Sequence, residues 1–409
     1  MAKHDPYAPL RIPNFLRILL SYGVTTVGRE AQMVVVGWQV YDATRDPLSL
    51  GMIGLAEALP FIAVALYAGH IADRASRKLI AVAGTFGLLL SAVALLIFTL
   101  RPETLAHGRV WPIYVVIFLS GIARSFTRPA LTALSADVVP RETYASAVAW
   151  RSSTWQLAAI LGPALGGLLY GFRGAVAAYA TVTVLMSVAL VVLMLVAATE
   201  REPEREEMTI GESLRIGLRF VFRQPVVLGA MSLDLFSVLF GGAVALLPIF
   251  ARMLHVGPQG LGILRAAPAI GAVLMGLVIA HRPPMERAGR ALLVSVAIFG
   301  LTIIGFGLSR NFLLSVALLT IGGMADNVSV VIRSTLVQTL TPQNLLGRVS
   351  AVNQIFIGSS NEIGAFESGV AARLLGTVPS VIFGGTMTLI VVAITAWRAP
   401  QLRRLGRIE

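Results

Sequence analysis

Twelve ionisable side chains stand well inside long apolar runs: Arg29, Glu30, Glu57, Arg124, Arg128, Arg151, Asp234, Arg265, Asp326, Arg333, Glu362 and Glu367. Facing hydrocarbon at the centre of a bilayer, each would cost about 2.5–3.5 kcal/mol. Six are acids and six are arginines, which predicts that they turn inward and are paired or hydrated. The chemistry open to such a set is proton exchange. Burial favours the neutral carboxyl and an approaching guanidinium favours the carboxylate, so a carboxyl group that changes partner can take up and release a proton. The best-placed carboxyls are Glu30, Asp234, Asp326 and Glu362, with Arg124 and Arg151 as bases of the same candidate cavity. Glu362, in SSNEIGAFESG, lies roughly 16 residues into its run, near mid-membrane by helical rise.

The elements that must carry these charges are transmembrane helices. The chain has 409 residues, 56% hydrophobic and 13% charged, with a net charge of +12 and a mean hydropathy of +0.79. A soluble protein carries about 25% charged residues. Apolar runs of about 20 residues, enough to cross a bilayer as helices, are expected near 15–41, 48–71, 79–100, 110–137, 145–171, 174–198, 225–251, 259–281, 289–308, 312–339, 346–375 and 378–398. A membrane barrel would show alternation instead. The first run lacks a small-residue cleavage site and reads as a retained helix.

The positive charge sits mostly between the runs, where membrane proteins carry it, and does not imply nucleic acid. The N-terminus, the loops after even-numbered spans and the C-terminus hold 20 Lys and Arg, the opposite side 7. This excess predicts both termini in the cytoplasm. Cysteine is absent, so no disulfide or thiolate metal site exists. The five histidines fall outside the spans or at their ends, and no metal or cofactor is expected. The polar stretch 199–224 divides the chain into two six-span halves, 1–198 and 225–409. Within it, Ile210, Leu214, Leu218 and Val221 recur at helical spacing, which predicts an amphipathic helix on the cytoplasmic membrane face.

The halves repeat each other. GLAEALP, starting at Gly54, matches GILRAAP, starting at Gly262, 208 residues later. Gly54, Ala58 and Pro60 correspond to Gly262, Ala266 and Pro268, and Glu57 to Arg265. At a nearby offset Gly121 and Pro140 correspond to Gly323 and Pro342, and Arg124 to Asp326. Such repeats mark transporters built from two related bundles with a substrate site near mid-membrane. Glu57 and Arg265, at equivalent depths, become candidates for an outer gate together with Glu367, and are not expected to touch each other.

Three stretches carry a resemblance to a known family. Gly69-His-Ile-Ala-Asp73-Arg74-Ala-Ser-Arg77-Lys78 fits the loop 2–3 motif of the major facilitator superfamily. Gly162-Pro163-Ala-Leu-Gly166-Gly167 fits the end of the motif associated with its antiporters, although Ala158 replaces the earlier glycine. Gln338-Thr-Leu-Thr-Pro342 through Leu346-Gly347-Arg348 is similar to the span 10–11 junction of the branch that holds the enterobactin exporters and the transmembrane secretion effectors. The resemblance implies an all-α fold of 12 transmembrane helices in two pseudo-symmetric six-helix bundles. It implies that Asp73 pairs with basic loop residues and caps a helix of the second bundle, holding the outward-open state. It also implies packing of span 2 against span 11, which places Glu57 near span 11. Gly162, Gly166 and Gly167 would let a neighbouring helix approach closely, while Pro163 bends span 5.

The reading is a proton-coupled exporter of small organic molecules, siderophore- or drug-like, in a bacterial inner membrane and working as a monomer. Its partners are a small-molecule substrate, protons and membrane lipid. An importer or uniporter of the same fold is the alternative. A non-transporting receptor or scaffold need not keep the Asp73 motif or so many membrane-depth charges. No nucleophile with a base at motif spacing and no phosphate loop points to an enzyme. Trp150 and Trp155, beside Arg151, are candidates to line the cavity.

Overall fold

The computed structural model describes residues 5–74, 76–101, 103, 109–197, 210–282 and 285–406. The described residues are helical or in short connections. The helices are α1 Pro13–Thr44, α2 Pro47–Arg74, α3 Arg77–Leu100, α4 Trp111–Asp137, α5 Tyr144–Met194, α6 Ile210–Arg223, α7 Pro225–Gly241, α8 Leu247–Met253, α9 Gly257–Ala280, α10 Ala288–Leu308, α11 Phe312–Leu340, α12 Gln343–Leu375, α13 Thr377–Arg398 and α14 Pro400–Arg403. Twelve spans follow when α5 is divided at Gly174, which has φ 79°, and α7 continues through a short 3-10 turn into α8. Seven helical stretches among the described residues are long and apolar enough to cross a membrane. α1, α4 and α12 match them in length, at 32, 27 and 33 residues, but carry the inward charges.

Helix boundaries follow from local chemistry. Asp46 precedes Pro47, and its Oδ1 accepts from the Leu48 N–H at 3.1 Å, so α2 starts on a capped first turn with proline where no N–H is needed. Ser76 caps α3 through the Leu79 N–H, and Asn311 caps α11 through the Leu314 N–H. Glycine makes the sharpest breaks. Gly174, between the two arms of α5, and Gly376, between α12 and α13, both have positive φ, a conformation glycine adopts without steric cost. They are separated along the chain as Gly121 is from Gly323. Arg45 and His255, at the turns into α2 and α9, are left-handed too. The same turns thus recur in both halves.

The chain forms two compact units, residues Met1–Thr44 with Leu59–Arg205, and residues Arg45–Ala58 with Glu206–Glu409. In the first, α1 packs along α5, and α3 on α4 and α5. In the second, α7 packs on α12 and α13, and α10 on α11 and α13. These are the same pairings six spans later. They also reuse the same small residues. A Cβ on Gly162 would lie 2.8 Å from the Val27 carbonyl oxygen on α1, and one on Gly364 would lie 2.8 Å from the Leu239 carbonyl oxygen on α7.

α6 forms as the pattern predicts, with a different contact face. Val221 is fully buried and Leu214 half-buried, in a cluster with Val227, Val349 and Val352. Gly217 sits against the Arg348 backbone of α12. Leu218 is 40% exposed instead, because the α12 backbone takes the side marked by Gly217 and Val221. The polar stretch before Ile210 lies outside the described residues.

Candidate functional site

In the first unit, α1, α4 and α5 bring Tyr22, Arg29, Glu30, Arg124, Arg128 and Arg151 together. Positions 124, 128 and 132 recur every four residues on α4, so they share one face about 6 Å apart along the axis. The hydroxyls of Thr132 and Ser135 donate to the carbonyls of Arg128 and Thr132. Their oxygens then accept from Arg151, whose Nη2 donates to Thr132 Oγ1 at 2.8 Å and Nη1 to Ser135 Oγ at 3.0 Å. The Arg151 guanidinium carbon lies 5.3 Å from the centroid of the Tyr22 ring, a cation–π contact. Arg128 is exposed on α4 and within electrostatic reach of Arg124, Tyr22, Arg29 and Arg151. Arg29 Nη1 and Glu30 Oε1 form an ion pair at 3.0 Å.

In the second unit, Arg333 on α11 is paired with Asp234 on α7, the two side chains only 5% and 9% exposed. Asp326, two turns before Arg333 on α11, interacts electrostatically with both. One guanidinium therefore serves two carboxylates among membrane-spanning helices.

The first half of α2 belongs to this second unit and packs on α12. A Cβ on Gly51 would lie 3.0 Å from the Gly369 Cα, and one on Gly54 would lie 2.6 Å from the Ala365 Cβ and 3.0 Å from the Glu362 carbonyl oxygen. Glu57 follows Gly54 by three residues on the same helix side and is 6% exposed. Asp46 at the start of α2 meets Arg373 of α12 at 3.5 Å. On another side of α12, Ser368 Oγ donates to the Gly242 carbonyl at 3.1 Å. Arg265 on α9 and Glu367 on α12 are both partly exposed.

The other sequence-derived residues are placed as follows. In the loop 2–3 motif the surroundings of Gly69 and the side chains of Asp73 and Arg74 lie outside what the structure describes. Arg77 Nη1 contacts both carboxylate oxygens of Asp137, at 2.6 and 2.8 Å. Lys78 is partly exposed in the first turn of α3. Gly162, Pro163, Gly166 and Gly167 are buried in α5, and Gly162 and Gly166 meet the α1 backbone between Val27 and Ala31. Trp150, a cavity candidate from its place beside Arg151, meets the N-terminal segment. Its indole N–H donates to the Pro6 carbonyl at 2.9 Å, and Tyr7 packs beside its ring. Trp155 is 45% exposed.

Sequence reasoning missed Asp137, the Asp46–Arg373 pair, and the supporting Tyr22, Thr132 and Ser135. Asp46 had a local signal, an aspartate directly before a proline that opens an apolar run. The hydroxyl pair had none, since threonine and serine in a span usually bond their own helix. Among the described residues no cluster of His, Cys, Asp and Glu could hold a metal ion.

Comparisons with known proteins agree with this architecture. The family model described as Major Facilitator Superfamily matches residues 18–365. The chain is similar to the enterobactin exporter EntS of Citrobacter koseri, with 27% identity over 395 residues, 96% of this chain and 93% of that protein. Similarity to EntS of Escherichia coli O1:K1 is 26% over the same shares. Among solved structures, a bacterial homologue of the human lysosomal transporter Spinster, inward-facing and occupied, matches with TM-score 0.72 at 14% identity, over 98% of this chain and 99% of that one. The peptide transporter POT matches with TM-score 0.74 at 13% identity, over 99% and 100%. A D-xylose–proton symporter matches with TM-score 0.72 at 13% identity, over 96% and 99%.

Proposed function

Since the chain belongs to the major facilitator superfamily and is a multi-pass secondary transporter of a small molecule, we propose that it is a proton-coupled exporter, with both termini in the cytoplasm. The observation that carries proton coupling is the Asp234–Arg333 pair with Asp326 beside it. Two carboxylates that compete for one guanidinium have a reason to exchange a proton when either loses its share. The export direction draws on the span 5 glycines and on relatives named as exporters across nearly their full length. The orientation draws on the 20 to 7 imbalance of Lys and Arg.

In this reading the halves 1–198 and 225–409, joined by 199–224, rock against each other, and the protein acts as a monomer. Asp73 with Arg74, Arg77 and Lys78 holds one state at the cytoplasmic side. Glu57, Arg265 and Glu367 serve the outer gate, where ionised groups exchange partners as it opens. Glu30 and Glu362 remain candidate proton carriers beside the two aspartates.

The test uses inverted membrane vesicles and enterobactin, the compound for which the relatives are named. Glu30, Asp234, Asp326 and Glu362 are each replaced by the matching amide, and uptake driven by a pH gradient is measured. At least one replacement should abolish gradient-driven uptake while leaving exchange across the membrane. Proton-dependent uptake that persists in all four variants would defeat the carboxylate scheme. Uptake by the unaltered protein that ignores the gradient would remove proton coupling itself.

A further inference from the structure

We infer that the arginines gathered where α13 ends and α10 begins, in the second unit, form a binding site for the headgroup of an anionic phospholipid. The inference needs only that α13 crosses the membrane. It depends neither on proton coupling nor on the direction of transport.

The depth of the site comes from α13. Ile390, Ile394 and Trp397 recur at a spacing that puts them on one helix face, and they are 43%, 51% and 73% exposed. An apolar stripe that ends in tryptophan marks a lipid-facing side reaching the membrane boundary, where indole rings lie at headgroup level. Arg398 follows directly. Its guanidinium carbon stands 5.1 Å from the centroid of the Trp397 ring, a cation–π contact that holds the group at that depth. A guanidinium stacked by its face keeps its N–H edge for phosphate oxygens.

The chain then folds back on the second unit. Pro400–Arg403 forms α14, and its Leu402 is fully buried in a cluster with Ala230 and Leu233 of α7 and Ala288 and Leu292 of α10. The N–H groups of Ala288 and Gly289, in the first turn of α10 and without an acceptor in their own helix, donate to the carbonyls of Gly406 and Leu405 at 3.3 Å each. A Cβ on Gly289 would run into the Leu402 carbonyl oxygen, so glycine permits this close seat. Arg403 and Arg404 are thereby held beside Arg287 and Arg290, and all four, like Arg398, are exposed.

Over residues 282–290 and 397–409 the sequence has seven arginines against two glutamates, Glu286 and Glu409. Positive charge in such loops is common because it sets orientation. Orientation alone needs no fixed backbone, whereas these arginines ride on a segment bonded to one helix and packed on two. Clustered basic groups at the hydrocarbon edge complement anionic lipid headgroups. A phosphate tethered to acyl chains would meet the guanidinium groups and the exposed indole together, and a soluble anion would leave the indole uncovered.

The test reconstitutes the full chain in vesicles of phosphatidylcholine and phosphatidylglycerol, with bromine on the acyl chains of one lipid at a time. Bromine quenches tryptophan by contact, and subtracting the same measurement on Trp397→Phe isolates Trp397 among the five tryptophans. Relative to its share of the vesicle, phosphatidylglycerol should be enriched about fivefold or more at Trp397, which is what one basic residue near an anionic surface contributes. Arg403→Gln/Arg404→Gln and Arg287→Gln/Arg290→Gln should each at least halve the enrichment. Arg215→Gln/Arg219→Gln, an equal loss of charge at exposed positions of α6, should leave it unchanged. All six replaced side chains are exposed, and thermal unfolding of each variant checks that the fold is kept. Equal quenching by the two lipids would overturn the assignment. So would an enrichment that either arginine pair leaves intact, or one that the α6 pair lowers as much, since surface charge in general would then account for it. Enrichment that emerges only after Glu202, Glu204, Glu206 and Glu207 are replaced by Gln would give the patch to the chain's own acidic stretch and overturn the assignment equally.

Discussion

Arg333→Gln removes the guanidinium that pairs with Asp234 and interacts electrostatically with Asp326. The pair it breaks is almost wholly enclosed, with 5% of the arginine and 9% of the aspartate side chain exposed. Breaking an enclosed pair leaves a charge without its partner and typically costs about 3–5 kcal/mol. Asp234→Asn should cost less, because Arg333 keeps Asp326 within reach. In the double variant Asp234→Asn/Arg333→Gln, two amides of similar size can hydrogen-bond, and one remaining carboxylate is easier to accommodate than two. The double variant should therefore be more stable than Arg333→Gln alone, with a coupling of about 1–3 kcal/mol. Unfolding free energies from sodium dodecyl sulfate titration in mixed micelles, followed by circular dichroism, would measure this cycle. Additive single losses, or an Arg333→Gln variant within about 0.5 kcal/mol of the unaltered protein, would refute the reasoning.

Two further outcomes follow from close packing and from a second ion pair. Gly54→Leu must push α2 off α12, since even a Cβ there lies 2.6 Å from Ala365. The same titration should show a loss of about 1–3 kcal/mol, and Gly211→Leu, where a Cβ meets open space, should show almost none. Asp137→Asn should cost about 1–2 kcal/mol by weakening its contacts with Arg77, whose side chain is 32% exposed, and Arg77→Gln in addition should cost little more. Equal losses for Gly54→Leu and Gly211→Leu, or independent losses for Asp137 and Arg77, would contradict these contacts.

Much of this fold is legible in the sequence because a membrane restricts the choices. Each apolar run must be a helix, and glycine and proline mark where runs end. The repeat of GLAEALP in GILRAAP separates two six-span halves, and Gly174 and Gly376 turn out to break the chain at matching places. The sites are less legible. Arg151 is visible as a costly charge, but its holders, Thr132 and Ser135, come from another helix. Asp234 and Arg333 stand out singly, and their pairing depends on how α7 meets α11. Leu218 fits the apolar stripe of α6 yet points away from α12, because periodicity gives the stripe and only packing gives the partner. Trp150 looks like a cavity residue from its neighbour Arg151, whereas its N–H is engaged by the N-terminal segment.

The account rests on ionised side chains of the spans facing water inside the protein, with lipid on the opposite helix faces. The chain lacks cysteine, so single thiols can be introduced without first altering native ones. Thr132→Cys places a thiol on the arginine face of α4, and Leu119→Cys places one on the opposite face, where leucine is 53% exposed. A membrane-impermeant maleimide applied to both sides of native membranes should label the thiol at 132 readily and that at 119 hardly at all. Labelling at 119 that equals or exceeds labelling at 132 would contradict the central claim.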